Sequence, residues 1–219
     1  MKLMIKRNLF FVLFICTMLL ACGQNNTKSD ILGVALDDNI KNEVEKNISS
    51  SQFGSMGSPI PIYNNKIFVD TYVNDRLSSS INGDKETVFK SFYYWNKNGD
   101  TLSIDGAYGL FGGTGFTIKI VNGKATLYHL LAGDEDPIFA YNEKDSLVYR
   151  LEVPCTDTKI ILSEIPDSTK SQTVYGYVEF KSNNYYESPG YYDADELSQR
   201  KKLRDNMKIY FKSDRLRIK

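Results

Sequence analysis

Residues 116–130 read FTIKIV-NG-KATLYHL, two alternating segments joined by Asn122 and Gly123. Asn-Gly is the pair that a two-residue type I′ turn prefers, because both central residues need a positive φ. The alternation on either side predicts two antiparallel strands, and the turn fixes their register by pairing Val121 with Lys124. One face of this hairpin should then carry Phe116, Ile118, Ile120, Ala125, Leu127 and His129, and the other Thr117, Lys119, Thr126 and Tyr128.

Segments with the same period of two recur on both sides of the hairpin. They predict strands at 67–73, 88–95 and 101–104 before it, and at 147–153, 160–164 and 174–181 after it. Many short strands separated by turn signals are typical of all-β domains. We therefore predict a mainly β fold, a single antiparallel β-sandwich or barrel with one or two short helices.

Two segments depart from the strand pattern. Apolar residues four apart predict one helix, with Asp37 or Asp38 as its cap: Leu36, Ile40, Val44 and Ile48. Asp193 and Glu196 are positioned to cap a second, short helix. The chain then ends in a further alternating segment.

The last alternating segment predicts a terminal strand. Met207, Ile209 and Phe211 would face the core, with Lys208 and Lys212 in solvent. Lysines on an edge strand discourage aggregation between sheets, so we expect this strand at a sheet edge. A basic terminus that binds anionic lipid or acidic glycan is the alternative interpretation.

The first residues have the layout of an export signal. An apolar stretch at 9–21 ends in Leu-Ala-Cys at 20–22, and it follows three basic residues, Lys2, Lys6 and Arg7. Thirteen residues at about 1.5 Å each are too short to cross a hydrocarbon core of roughly 30 Å. We expect residues 1–21 to be a signal peptide, 22–30 a flexible tether and 31–219 a single β-rich domain.

The motif before Cys22 resembles the lipobox of bacterial lipoproteins, whose cysteine is acylated and becomes the first residue. The chain as a whole, with its Asn-rich tether and tyrosine-rich β pattern, resembles small lipoproteins of gut-type Gram-negative anaerobes. This resemblance implies lipidation of Cys22 and a lipid-anchored location in the outer membrane, on its periplasmic face or at the cell surface. It assigns no chemistry to the domain.

Charge and cysteine content exclude some classes of partner and bond. Without residues 1–21 the chain has 24 basic and 27 acidic residues, so no positive excess favours nucleic acid. Cys16 would be removed and Cys22 lipidated, which leaves Cys155 as the single free thiol and no intramolecular disulfide. The chain has too few histidine and cysteine residues for a usual zinc site, and the sequence predicts no cofactor.

Candidate functional residues fall into two groups. His129 and Cys155 could form a nucleophilic pair, but the hairpin register places His129 beside apolar residues, where a core histidine is the usual finding. The other group is tyrosine, whose flat apolar ring and polar hydroxyl suit sugar or protein ligands. The possible ligand-binding residues are Tyr175, Tyr177, Tyr185 and Tyr186.

We expect an extracytoplasmic binding or accessory domain, with a glycan, a peptide or an envelope protein as ligand. Two alternatives stay open at this point. One is an envelope- or polysaccharide-directed hydrolase, whose paired carboxylates cannot be identified without their spacing. The other is a structural envelope assembly factor.

Overall fold

The structure is a computed structural model that describes residues 31–50, 62–83, 87–109, 113–134, 136–189 and 197–216. The described chain forms strands of 2 to 15 residues, one α-helix and one 3-10 helix. In chain order the elements are β1 (Ala35–Leu36), α1 (Ile40–Asn47), β2 (Ile48–Ser50), β3 (Ile62–Asn65), β4 (Ile67–Val73), β5 (Arg76–Asn82), β6 (Thr87–Trp95), β7 (Thr101–Tyr108), β8 (Gly113–Val121), β9 (Lys124–Ala132), β10 (Phe139–Ala140), β11 (Arg150–Leu162), β12 (Val174–Ser182), β13 (Tyr185–Glu187), the 3-10 helix (Leu197–Gln199) and β14 (Lys201–Arg215).

The β8–β9 hairpin has the predicted register. Phe116 lies opposite His129, and Val121 lies opposite Lys124. Asn122 and Gly123 adopt φ values of 49° and 73°, as a type I′ turn requires. The inward face of the hairpin is buried, which confirms the face predicted from the alternation.

Seven strands close into a ring in the order β6, β7, β8, β9, β11, β12 and β14. Neighbours in the ring are antiparallel except for β14 and β6, which run parallel through the pairs Asp214–Phe92 and Arg215–Tyr93. A closed ring with an odd number of alternating strands needs one parallel contact. The predicted mainly β, sandwich- or barrel-like class is therefore confirmed.

The inside of the ring holds the main hydrophobic core, to which the hairpin contributes Phe116, Ile118, Ile120 and Leu127. Residues 31–36 pack against one end of this core. Leu32 bridges to Lys124, and β1 pairs in parallel with the end of β11. The side chains of Ile31, Val34 and Leu36 contact the core from this segment.

The final strand is central, so its prediction as an edge strand was wrong. Its inward residues Met207, Ile209 and Phe211 are buried as predicted, but β14 pairs with β12 along one edge and with β4 along the other. The alternation of apolar and polar residues indicates which face of a strand is buried. It does not indicate whether neighbouring strands pair with both of its edges.

The predicted strands at 147–153 and 160–164 are one strand, β11. The register to β12 shifts between Thr156 and Lys159, and Asp157 has a φ of 48°. A bulge of this kind inserts extra residues without ending the strand. The alternation is interrupted there, so the sequence reads as two segments.

The helix α1 begins at Ile40, with Asn39 rather than Asp37 or Asp38 at the cap position. Asp37 instead accepts a hydrogen bond from the Asn39 backbone N–H at 2.9 Å, which stabilises the preceding turn. The predicted caps of a second helix, Asp193 and Glu196, lie outside the described residues.

Candidate functional site

A groove of about 770 Å³ lies where the β4–β5 hairpin extends the sheet beyond β14. We call it the β5 groove. It is bordered by β4, β5, β12 and β14, together with the bulge of β11. Its lining residues are Phe68, Val69, Asp70, Ser80, Ile81, Asn82, Asp157, Glu179, Phe180, Lys181, Asn206, Met207 and Lys208.

Strand register arranges the side chains of this groove in two rows. Paired residues of neighbouring strands point to the same face, so each row crosses β12, β14, β4 and β5. The first row is Lys181, Asn206, Asp70 and Ser80. The second row is Glu179, Lys208, Phe68 and Asn82.

Two ion pairs neutralise four of the five charged side chains of the groove, and the fifth, Asp70, accepts a hydrogen bond from Ser80. Lys181 Nζ lies 2.9 Å from Asp157, and Lys208 Nζ lies 3.0 Å from Glu179. The Tyr177 hydroxyl donates to Glu179 at 2.9 Å. The groove therefore presents hydrogen-bonding groups of both kinds without a strong field of one sign.

The two carboxyl groups in these pairs stay ionised. The pKa of Asp157 is lowered by its hydrogen bond and charge interaction with Lys181. Burial opposes ionisation of Glu179, yet hydrogen bonds from Lys208 and Tyr177 outweigh it and lower the pKa. A general acid at neutral pH needs a raised pKa, so neither group suits that role.

Phe68 supplies a flat apolar surface within the second row, between Lys208 and Asn82. Its ring lies on the β4 strand, half-buried, with the Lys66 ammonium 5.5 Å from its centroid. Ile81 on β5 and Val69 on β4 also border the groove, but their side chains pack with the hydrophobic core, and Val69 is 3% exposed. An aromatic ring beside hydrogen-bonding groups is the arrangement that binds ligands with both apolar and hydroxyl surfaces.

The four tyrosines selected from the sequence do not form one surface. Tyr177 is 9% exposed and packs under α1 against Ile40 and Val44, so it reaches the β5 groove only through its hydroxyl. Tyr175 is half-buried, with the ammonium groups of Lys41 and Lys212 at 5.3 and 5.7 Å from its ring.

Tyr185 and Tyr186 lie on β13, which pairs with the other end of β14. Tyr185 is 3% exposed, and its hydroxyl donates to Asp205 at 2.8 Å. Tyr186 is half-buried beside a smaller depression that Tyr141 and Arg204 also border. Tyr175 and Tyr186 are thus the two that present ring surface to solvent, at separate places.

His129 is part of a buried polar network. Its Nε2 lies 2.6 Å from the Thr114 hydroxyl and 3.6 Å from Asp205 Oδ2. Asp205 also accepts hydrogen bonds from Thr71 at 2.6 Å and from Tyr185. Burial lowers the pKa of His129 to about 4, against the opposing charge of Asp205.

Cysteine–histidine catalysis is not supported by this arrangement. Burial raises the pKa of the Cys155 thiol to about 12, whereas such a pair requires a thiolate beside an imidazolium. Both groups are shifted toward their neutral forms. His129 is therefore the core histidine that the hairpin register favoured.

Sequence reasoning missed the β5 groove. Glu179 and Lys181 alternate with the apolar residues Val178 and Phe180, so the sequence does place both on the polar face of β12. This alternation was the signal of the groove that the sequence contained. Asp70 and Lys208 come from distant parts of the chain, and only the register brings them into the same groove.

Within the described ranges, no three histidine, cysteine or acidic side chains come close enough to hold a metal ion. No helix of the described chain combines the length and the hydrophobicity needed to span a membrane. Cys22 lies outside the described residues, so its lipidation stays a prediction.

No protein family matches this chain, and neither the curated proteins nor the solved structures contain a significant match to it.

Proposed function

We propose that this chain is an extracytoplasmic lipoprotein, anchored in the outer membrane through Cys22, whose β-domain binds an uncharged oligosaccharide in the β5 groove. The location rests on the resemblance of residues 19–22 to a lipobox. The ligand class rests on one observation, the two aligned rows of polar side chains with Phe68 among them.

A neutral sugar chain matches the chemistry of these rows. Carboxylate and amide oxygens such as those of Asp70 and Asn206 accept hydrogen bonds from hydroxyl groups, and the lysine ammonium groups donate to them. The Phe68 ring offers a surface for the apolar face of a pyranose ring. The paired charges disfavour a polyanion, and the polar rows disfavour an acyl chain.

Binding fits this groove better than hydrolysis. The rival function, a polysaccharide-directed hydrolase, needs a carboxylic acid held protonated near neutral pH. The pKa values of Asp157 and Glu179 are shifted in the opposite direction. The other alternative, an envelope assembly factor, predicts a loss of envelope integrity in a deletion strain with no glycan binding.

A glycan array followed by titration calorimetry tests the proposal. The full-length protein in detergent should bind neutral oligosaccharides, and Phe68→Ala should weaken binding about tenfold, which corresponds to about 1.4 kcal/mol. Tyr149→Ala is the matched aromatic control, because Tyr149 is 55% exposed and does not line the groove. An array without neutral-glycan hits, or equal affinities for wild type and Phe68→Ala, would contradict the proposal.

A further inference from the structure

The depression beside Tyr186 adjoins the β5 groove. We call it the Tyr186 depression, and it has a volume of about 420 Å³. Lys181 lines both cavities. Arg204 borders the depression and donates a hydrogen bond at 3.1 Å to Asn206, which lines the groove. The two cavities are therefore neighbouring parts of one surface.

The outward side chains of β14 run along this surface from one cavity to the other. They alternate with buried residues, so Lys208, Asn206, Arg204 and Lys202 point to the same face. Tyr186 pairs with Lys202 from the neighbouring strand β13, so its ring lies on this face as well. Since a strand rises about 3.4 Å per residue, the segment from Lys202 to Lys208 spans roughly 20 Å. The surface is longer than a single sugar unit.

The Tyr186 depression offers the same two kinds of group as the β5 groove. Tyr186 supplies a half-buried aromatic ring, and Tyr141 at the border is 37% exposed. Asn183 and Asn184 add side-chain amides, each of which can donate to one hydroxyl group and accept from another. Within the part of the chain that the structure describes, the Asn184 amide and the Tyr186 hydroxyl form no hydrogen bond. Both groups are therefore open to a ligand.

Arg204 and Lys181 lie where the two cavities meet. The Arg204 guanidinium stacks on the Tyr72 ring, 4.3 Å from its centroid, and its hydrogen bond to Asn206 fixes its orientation further. A guanidinium carries five N–H donors, so others remain for the oxygen atoms of a ligand. Lys181 is held by its ion pair with Asp157. A ligand that fills both cavities contacts both cationic side chains.

We propose that the β5 groove and the Tyr186 depression form one extended site for a linear, uncharged oligosaccharide, with one sugar unit on Phe68 and a distant unit of the same chain on Tyr186. This inference rests on the proposed function and adds the length of the ligand. Phe68 pairs with Lys208 and Tyr186 with Lys202, so the two rings lie near opposite ends of the segment. A disaccharide is too short to contact both rings.

Titration calorimetry of the full-length protein in detergent tests the extended site. The probes are cello-, malto- and manno-oligosaccharides, each as a series from disaccharide to hexasaccharide. In at least one series the hexasaccharide should bind about tenfold more tightly than the disaccharide, because it gains a second aromatic contact. Tyr186→Ala should weaken hexasaccharide binding about tenfold and leave disaccharide binding unchanged. Phe68→Ala should weaken the binding of both.

Two further variants control for damage to the fold. Asn184 is exposed, so Asn184→Ala removes an amide of the depression without disturbing the core. It should weaken hexasaccharide binding about fivefold, which corresponds to one lost hydrogen bond, and leave disaccharide binding unchanged. Tyr149→Ala changes an exposed tyrosine that lines neither cavity, and it should bind every oligosaccharide as the wild type does.

The results separate this inference from the proposed function. Equal affinities for disaccharide and hexasaccharide, both lowered by Phe68→Ala, would overturn the extended site and leave the β5 groove as the sugar site. Hexasaccharide binding that neither Tyr186→Ala nor Asn184→Ala weakens would overturn it in the same way. Binding that depends on Tyr186 but not on Phe68 would refute the β5 groove as the sugar site, and the extended site with it. Absence of binding in every series would refute both proposals.

Discussion

Between pH 6.5 and pH 4, acid should destabilise this protein through the buried side chain of His129. Its pKa is about 4 in the folded chain, against 6.5 for a fully solvated histidine, the value that applies to the unfolded chain. The cause is burial, which disfavours the charged imidazolium, and the carboxylate of Asp205 at 3.6 Å offsets this only in part. Protonation of the unfolded chain therefore begins at a higher pH than protonation of the folded chain.

The size and sign of the effect follow from proton linkage. Between about pH 6.5 and pH 4 the unfolded chain binds one proton more than the folded chain, so stability falls as the pH falls. The free energy of unfolding should decrease by about 1.4 kcal/mol per pH unit across this window, about 3 kcal/mol in all. Above pH 6.5 His129 is neutral in both the folded and the unfolded chain, so it does not contribute to the pH dependence of the free energy of unfolding.

Urea denaturation, followed by the fluorescence of Trp95, measures this dependence in the wild type and in His129→Gln. Glutamine cannot titrate, yet it can still exchange a hydrogen bond with Thr114. Other groups, including Glu187 and Asp105, titrate in both proteins, so the difference between the two curves isolates His129. The free-energy difference between variant and wild type should change by about 3 kcal/mol between pH 7 and pH 4. Parallel curves across this range would refute the assigned pKa and the burial that causes it.

Three further predictions concern packing and backbone conformation. Cys155 should react slowly with a disulfide reagent at pH 8 in the folded protein and rapidly in urea, because burial raises the pKa of its thiol to about 12; equal rates would show an accessible thiolate. Gly106→Ala should lower the free energy of unfolding by about 1–3 kcal/mol, since the added Cβ would lie 2.6 Å from the Phe116 ring; an unchanged urea midpoint would contradict this packing. Gly123→Ala should cost about 1 kcal/mol through backbone strain alone, because its φ is +73° and no atom lies within 4 Å of the added Cβ. Gly123→Asn, which tolerates this conformation better, is its matched control and should cost less.

The β8–β9 hairpin shows how much local sequence can determine. Asn122 and Gly123 fix the turn, the turn fixes the register, and the register places His129 on the buried face. Each of these steps involves residues close together in the chain. The mainly β class and the faces of the final strand follow from alternation in the same way.

Other features depended on contacts between distant segments. The sequence does not indicate that β14 pairs on both edges, because alternation along one strand is the same at an edge and in the centre of a sheet. The bulge at Asp157 joins two segments that read as separate strands. Tyr177 reads as an exposed residue of β12 until α1 packs over it.

The β5 groove belongs to this second kind. Asp70, Lys181 and Asn206 become neighbours only because β4, β12 and β14 pair in one register. The sequence by itself determined the strands, their faces and one turn, since these depend on near neighbours. The tertiary structure alone decided which polar faces meet, because register between distant strands is set by the packing of the whole ring.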